Sequence, residues 1–320
     1  MRPGINLDAV FPPMATVFDR DGNVDSHAIS SNVAKWMQAG VGGVVALGSN
    51  GEAPFVEEDE ADRVIAAARD SVPRDRVLLV GTGRESTRAT IAASARAAAL
   101  GADAVLVRTP SFYKARMTPD VFVRHYSAVA DATPVPVLLY NVPAVTGVNL
   151  TPDAVGRLAA HPNIIGVKET GSDTAQFAAF VASAPDAFAV IAGSAPTFYP
   201  SLCVGATGGI LAVSCVLPAL CVRLHAHFRA GRHAEARDLQ RRLTPLAKLV
   251  TTGLGVAGLK KAMDLAGFAG GEPRAPLGPL TAEATSQVHD ALAALLGSDL
   301  DFLTDAEPAS IRKSRSDPRE

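Results

Sequence analysis

Val137-Leu138-Leu139-Tyr140-Asn141-Val142-Pro143, then Thr151-Pro152 at the head of a stretch running to about residue 160, then Ile164-Ile165-Gly166-Val167-Lys168, spell out one βαβ unit. Both apolar runs are too short for helices and too continuous for half-exposed strands, so each reads as a strand buried on both faces of a parallel sheet. Thr151 supplies an N-cap hydroxyl and Pro152 a residue suited to the first helical position, which marks where the connecting helix starts. The same pattern extends in both directions. Ala15 to Phe18, Gly43 to Leu47, Val77 to Val80, Ala104 to Val107, Phe188 to Ala192 and Gly209 to Val213 complete a set of eight apolar runs. Amphipathic stretches near 26–38, 57–70, 86–99, 119–131, 173–183, 197–204 and 215–230 separate them. Eight strands alternating with eight helices predict a closed α/β (β/α)8 TIM barrel, and periodicity alone leaves an open doubly wound sheet as the alternative.

The alternation stops near residue 230. Helical patterns at 233–250, 256–267 and 281–296 follow, the last with Val288, Leu292, Leu295 and Leu296 on one face, a stripe that must bury against the barrel or a neighbouring subunit. The expected organisation is a barrel over 8–230, a C-terminal helical bundle over 231–298 and a disordered tail over 299–320, where charges, Ser and Pro displace apolar residues.

Composition narrows the function. A formal net charge of −2 with 19% charged residues gives no electrostatic ground for nucleic acid or an anionic membrane as partner. No apolar stretch reaches the roughly 18 to 20 residues a bilayer requires, and Met1 to Leu7 lacks a basic segment followed by an apolar one, so the chain reads as cytoplasmic. Cys203, Cys215 and Cys221 match no zinc or redox spacing and read as small buried hydrophobes. Gly81-Thr82-Gly83-Arg84 lacks the remainder of a dinucleotide fingerprint, and no cluster has convincing metal spacing, so no metal is expected.

In such a barrel the reactive groups gather at the C-terminal ends of the strands. Lys168 closes one strand and Tyr140 the strand before it. A lysine normally lays its stem on apolar surface and sends its head to water; one ending a barrel strand is held in the mouth instead. Burial favours the neutral amine, which attacks a carbonyl, and the protonated imine that results is an electron sink for breaking a C–C bond two atoms away. Tyr140 would relay a proton to the substrate oxygen; without Lys168 beside it, it would read as a space-filling phenol. Gly48-Ser49-Asn50-Gly51-Glu52 offers a hydroxyl, an amide and glycine-flanked N–H groups suited to a carboxylate. Gly193-Ser194 after strand 7, and the glycines of 205–210, permit close backbone approach.

Three motifs in order, Gly48-Ser49-Asn50-Gly51-Glu52, Leu139-Tyr140-Asn141-Val142-Pro143 and Ile165-Gly166-Val167-Lys168-Glu169-Thr170, resemble the dihydrodipicolinate synthase and N-acetylneuraminate lyase family over roughly residues 8 to 298. The resemblance implies Lys168 as the Schiff-base lysine, Tyr140 as the proton relay, Ser49 and Asn50 as binders of a pyruvoyl carboxylate, and backbone around Gly193 and Ile210 lining the pocket. It also implies a homotetramer of tight dimers in which a tyrosine, here Tyr113, completes a neighbour's site. No cofactor is implied, and the partner is a small 2-oxo acid. The synthases resemble Pro-x-Arg-Thr-Gly after the tyrosine, whereas this chain has Pro143-Ala144-Val145-Thr146-Gly147, and a valine cannot pair with a carboxylate. The Gly-Ser-Asn-Gly-Glu loop, Pro110 to Met117, Gly258-Leu259-Lys260-Lys261 and Arg274-Ala275-Pro276-Leu277 are similar to 4-hydroxy-2-oxoglutarate aldolases, the expected branch. Sugar-acid aldolases or dehydratases, aromatic hydratase-aldolases and dihydrodipicolinate synthase remain as rivals, and a non-catalytic 2-oxo acid-binding barrel is the alternative of another class.

Overall fold

The computed structural model describes residues 5–296; the stretch expected to form a disordered tail, 299–320, lies outside them. Eight strands, β1 Val10–Phe11, β2 Gly43–Ala46, β3 Val77–Gly81, β4 Ala104–Arg108, β5 Val137–Asn141, β6 Ile164–Glu169, β7 Ala189–Ala192 and β8 Gly208–Ile210, form one parallel sheet. From β2 to β8 each strand pairs with its neighbour in sequence, and β1 pairs with β8. The remaining seam, between β1 and β2, is bridged by Gly42 N to Val10 O at 3.0 Å, Val45 N to Pro12 O at 2.9 Å and Met14 N to Val45 O at 3.0 Å. The result is a (β/α)8 TIM barrel with a C-terminal helical extension.

Among the described residues twelve α-helices accompany the strands: α1 Ser26–Gln38, α2 Glu58–Ser71, α3 Thr87–Ala99, α4 Pro119–Ala132, the single turn α5 Pro143–Thr146, α6 Pro152–Ala159, α7 Thr174–Ser183, α8 Phe198–Cys203, α9 Pro218–Arg229, α10 His233–Lys248, α11 Gly255–Leu265 and α12 Ala282–Leu296. The caps legible in sequence are made: Thr118 Oγ1 accepts from Val121 N at 3.4 Å and Thr151 Oγ1 from Ala154 N at 3.2 Å. Each satisfies one of the orphan donors of a first helical turn.

Two apolar layers result from strand alternation. Phe11, Val45, Leu79, Leu106, Leu138, Ile191 and Ile210 fill the barrel interior, while Val44, Leu78, Val105, Leu139, Val167 and Val190 face the helices. Trp36 of α1 is 1% exposed and donates its indole N–H to Cys215 O at 3.1 Å, so truncation to Ala would cost about 3–5 kcal/mol.

Three expectations need correction. The first strand is Val10–Phe11 rather than Ala15 to Phe18: Pro12 and Pro13 have no N–H to carry the pairing with β8 beyond Phe11, and 15–18 continues as buried chain outside the named strands. The eighth ends at Ile210, and Ala212–Cys215 forms a 3-10 turn. Cys215 and Cys221 are buried, but Cys203 is exposed at the end of α8.

After α9 the chain packs on its own barrel. Gln240 of α10 donates to Ala195 O at 2.9 Å and accepts from Tyr199 N at 2.8 Å. Val288, Leu292 and Leu295 of α12 are buried, in a region where α12 meets α10 and α11. Among the described residues no helix is long and apolar enough to cross a membrane.

Candidate active site

The pairing of β5 with β6 sets the central geometry. After a register shift at Val137/Leu138, Tyr140 stands opposite Lys168 at the C-terminal ends of both strands. Because side chains alternate, Leu138 and Tyr140 point inward, and their register partners Gly166 and Lys168 share that face. Lys168 is 4% exposed, with Nζ 4.3 Å from the centre of the Tyr140 ring. The Tyr140 hydroxyl shares a hydrogen bond of 3.2 Å with Ser49 Oγ. An amine, a phenol and the loop after β2 therefore meet in one space.

Gly193, immediately after β7, backs the lysine. A Cβ there would lie 2.5 Å from Thr170 Cγ2, 2.9 Å from Glu169 O and 3.0 Å from Lys168 Cε, so only glycine leaves room for the stem. Ser194 is half-buried beside it, and its carbonyl accepts the Thr197 N–H at 3.3 Å. Ile210, 0% exposed at the end of β8, belongs to the same interior layer as Tyr140. Asn50 is half-buried next to Ser49, and Thr16 Oγ1 donates to Gly51 O at 2.6 Å, pinning the loop from below.

Two expected residues lie apart from this buried group. Tyr113 is 70% exposed, its ring edge-on to Phe112 at 5.1 Å between centroids, and Val145 on α5 is 67% exposed. Glu85 holds the base of the Tyr113 loop: its carboxylate accepts from Ser111 N and Phe112 N, each at 2.8 Å, and pairs with Arg108 at 2.8 Å. Partial burial pushes the Glu85 carboxyl up, but these donors outweigh it and hold the group below its usual range.

Sequence reasoning missed the supporting residues. Glu169, 1% exposed, points away from Lys168 and accepts from Asn141 Nδ2 at 2.6 Å, from Gln176 Nε2 at 3.2 Å and from Gly171 N. Burial raises its carboxyl above the ordinary value despite those donors. Thr170 N and Oγ1 both donate to Asn141 O, so the ends of β5 and β6 are tied just behind Tyr140 and Lys168. The only signal was position, since Glu169 and Asn141 each follow a singled-out residue. A second supporting pair, Glu52 with Lys260, joins two of the quoted motifs, and nothing local in either one announced the pairing.

The far pole differs. A cavity of about 470 Å³ opens there beside Asn6, Asp8, Arg74, Asp103 and His225, among residues at the N-terminal ends of the strands, away from Lys168.

The model of the dihydrodipicolinate synthetase family matches residues 6–295. The chain is 34% identical over 279 residues to a 4-hydroxy-tetrahydrodipicolinate synthase of Exiguobacterium, covering 87% of this chain and 94% of that one. It is 36% identical over 286 residues to an Emericella nidulans protein named probable 4-hydroxy-2-oxoglutarate aldolase, mitochondrial, covering 88% and 92%. Among solved structures, a dihydrodipicolinate synthase from Thermotoga maritima superposes with a TM-score of 0.86 at 30% identity, covering 90% and 98%. A prophage protein of the same family from E. coli K12, solved in complex with pyruvate, gives 0.85 at 30%, covering 89% and 97%.

Proposed function

The chain belongs to the dihydrodipicolinate synthetase family, and from that premise we propose that it is a class I lyase cleaving 4-hydroxy-2-oxoglutarate to pyruvate and glyoxylate. The observation carrying this reading is the buried Lys168 amine 4.3 Å from the Tyr140 ring, with the Tyr140 hydroxyl bonded to Ser49. The amine attacks C2, water leaves, and a protonated imine forms while Ser49, Asn50 and nearby N–H groups hold the C1 carboxylate. Tyr140, directly or through a water, takes the C4 hydroxyl proton. The C3–C4 bond then breaks, its electron pair passing into the imine to give the enamine, and C4 departs as the aldehyde of glyoxylate. Protonation at C3 and hydrolysis release pyruvate and the free amine. The imine takes up the electron pair that a divalent ion would otherwise polarise.

Val145, where the synthases resemble arginine, supports the aldolase over the synthase, because an apolar side chain gives no partner to the distal carboxylate of aspartate semialdehyde. The second reading, a different pyruvate-type lyase on the same lysine, draws on the names of the relatives, several of them synthases. Tyr113, exposed in one chain, fits a homotetramer of tight dimers in which it reaches a neighbour's site, and the compartment of this reading is the cytoplasm.

A substrate panel tests the proposal. Pyruvate release from 4-hydroxy-2-oxoglutarate is expected to exceed that from sugar acids and aromatic 2-oxo acids, with no condensation of pyruvate and aspartate semialdehyde. Silence with 4-hydroxy-2-oxoglutarate alongside turnover of any other member overturns it.

A further inference from the structure

The loop of Gly48 to Gly51 is bounded by two non-glycine residues in the left-handed region, Leu47 and Glu52, each with φ of 54°. Such a conformation costs roughly 1–2 kcal/mol for a residue bearing a Cβ and persists only where the surroundings over-determine it. At Leu47 the surroundings are backbone: a Cβ on Gly81 would fall 2.0 Å from Leu47 O, so β3 closes against this turn with nothing between. At Glu52 they are electrostatic and come from the far end of the chain. Glu52 Oε1 lies 2.6 Å from Lys260 Nζ, both side chains 0% exposed, and Oε2 accepts the Arg274 backbone N–H at 2.7 Å.

Lys260 is itself held in one place. Its ammonium donates to Glu272 O at 2.9 Å and sits 4.6 Å from the centre of the Phe18 ring. Arg274 covers the same ring at 4.0 Å, donates to Phe55 O at 2.8 Å and clasps both carboxylate oxygens of Glu60. The C-terminal extension thus reaches over the loop after β2 and grips it on both sides of the 3-10 turn Ala53–Phe55.

A dry ion pair is a poor device for stability alone, because desolvating two charges offsets most of their attraction and an apolar pair of equal volume does as well. What it does supply is a single geometry. We infer that Lys260 is a positioning residue for the substrate carboxylate: through Glu52 it fixes the backbone of Gly48 to Gly51, so that Ser49 and the adjacent N–H groups face a 2-oxo acid joined to Lys168. This rests on the reading of that loop given under the proposed function. It assigns part of substrate binding to a helix outside the barrel.

The test compares two ketones on the full-length protein. Wild type and Lys260→Met are reduced with borohydride in graded pyruvate, then in graded acetone, which has the carbonyl but no carboxylate, and labelling of the Lys168 peptide is read by mass. The expected result is a rise of roughly ten- to a hundredfold in the pyruvate concentration for half-labelling, with acetone labelling unchanged. An unshifted pyruvate curve, or a parallel loss with both ketones, overturns the inference. Should Lys260→Met not fold, Glu52→Gln/Lys260→Met, which buries no unpaired ion, carries the same measurement with the same outcomes. Absence of any wild-type label at Lys168 would instead strike the Schiff-base reading, a result distinct from either.

Discussion

The loops after β2 and after β4 are held by opposite means. Glu52 meets Lys260 with both side chains fully buried, whereas Glu85, 45% exposed, holds only the base of the other loop and leaves Phe112 and Tyr113 in the open. The first loop is set by its own chain, down to two left-handed residues. The second presents two aromatic rings, Phe112 and Tyr113, that nothing in one chain covers.

That contrast can be broken in four places. The largest effect belongs to Tyr140→Phe, which deletes the hydroxyl shared with Ser49: kcat is expected to fall about 10²- to 10⁴-fold, and a fall no greater than that of Tyr113→Phe would erase the distinction between the two sides. Next, Glu52→Ala strands the Lys260 ammonium in a dry site and is expected to cost about 3–5 kcal/mol in urea unfolding, against at most about 1 kcal/mol for Glu85→Ala. Equal losses would show that burial does not separate them.

The third is a pH dependence. Hydrogen bonding to Arg274 holds the Glu60 carboxyl at about 2, against 4.5 for the free group, although burial opposes it. A depressed folded value means the contribution is complete above about pH 4.5 and is lost as pH falls toward 2. Thermal unfolding across that window should be steeper in wild type than in Arg274→Met; identical acid limbs would mean the clasp adds nothing. The smallest is Tyr113→Phe, expected to lower kcat by at most about tenfold, with a wild-type advantage that disappears on dilution below the concentration at which the protein associates. An advantage independent of concentration would place Tyr113 in its own chain's site.

How far the sequence carried differs between elements for physical reasons. β5, α6 and β6 were legible because each is a short β-branched run or a capped amphipathic stretch, and the pairing of Tyr140 with Lys168 followed from two adjacent parallel strands. Ala15 to Phe18 misled because buried non-sheet chain and buried strand share one composition, and only Pro12-Pro13 distinguished them. Burial likewise hid the end of β8, where Leu211 to Cys215 stay inside after the ladder stops. Lys168 and Tyr140 were visible as polar residues ending apolar runs, and Ser49 and Asn50 as polar residues of a glycine-flanked loop that follows one. Glu52–Lys260 was not, since neither residue has a local period or motif that announces a partner across the chain.

The central claim is that the Lys168 amine, held dry beside a phenol, forms the imine. Incubation with pyruvate, borohydride reduction and peptide mapping by mass test it most directly. A single adduct of reduced pyruvate on Lys168, lost in Lys168→Ala, is the expected result; an unlabelled Lys168 under conditions that trap a known class I aldolase would contradict the claim.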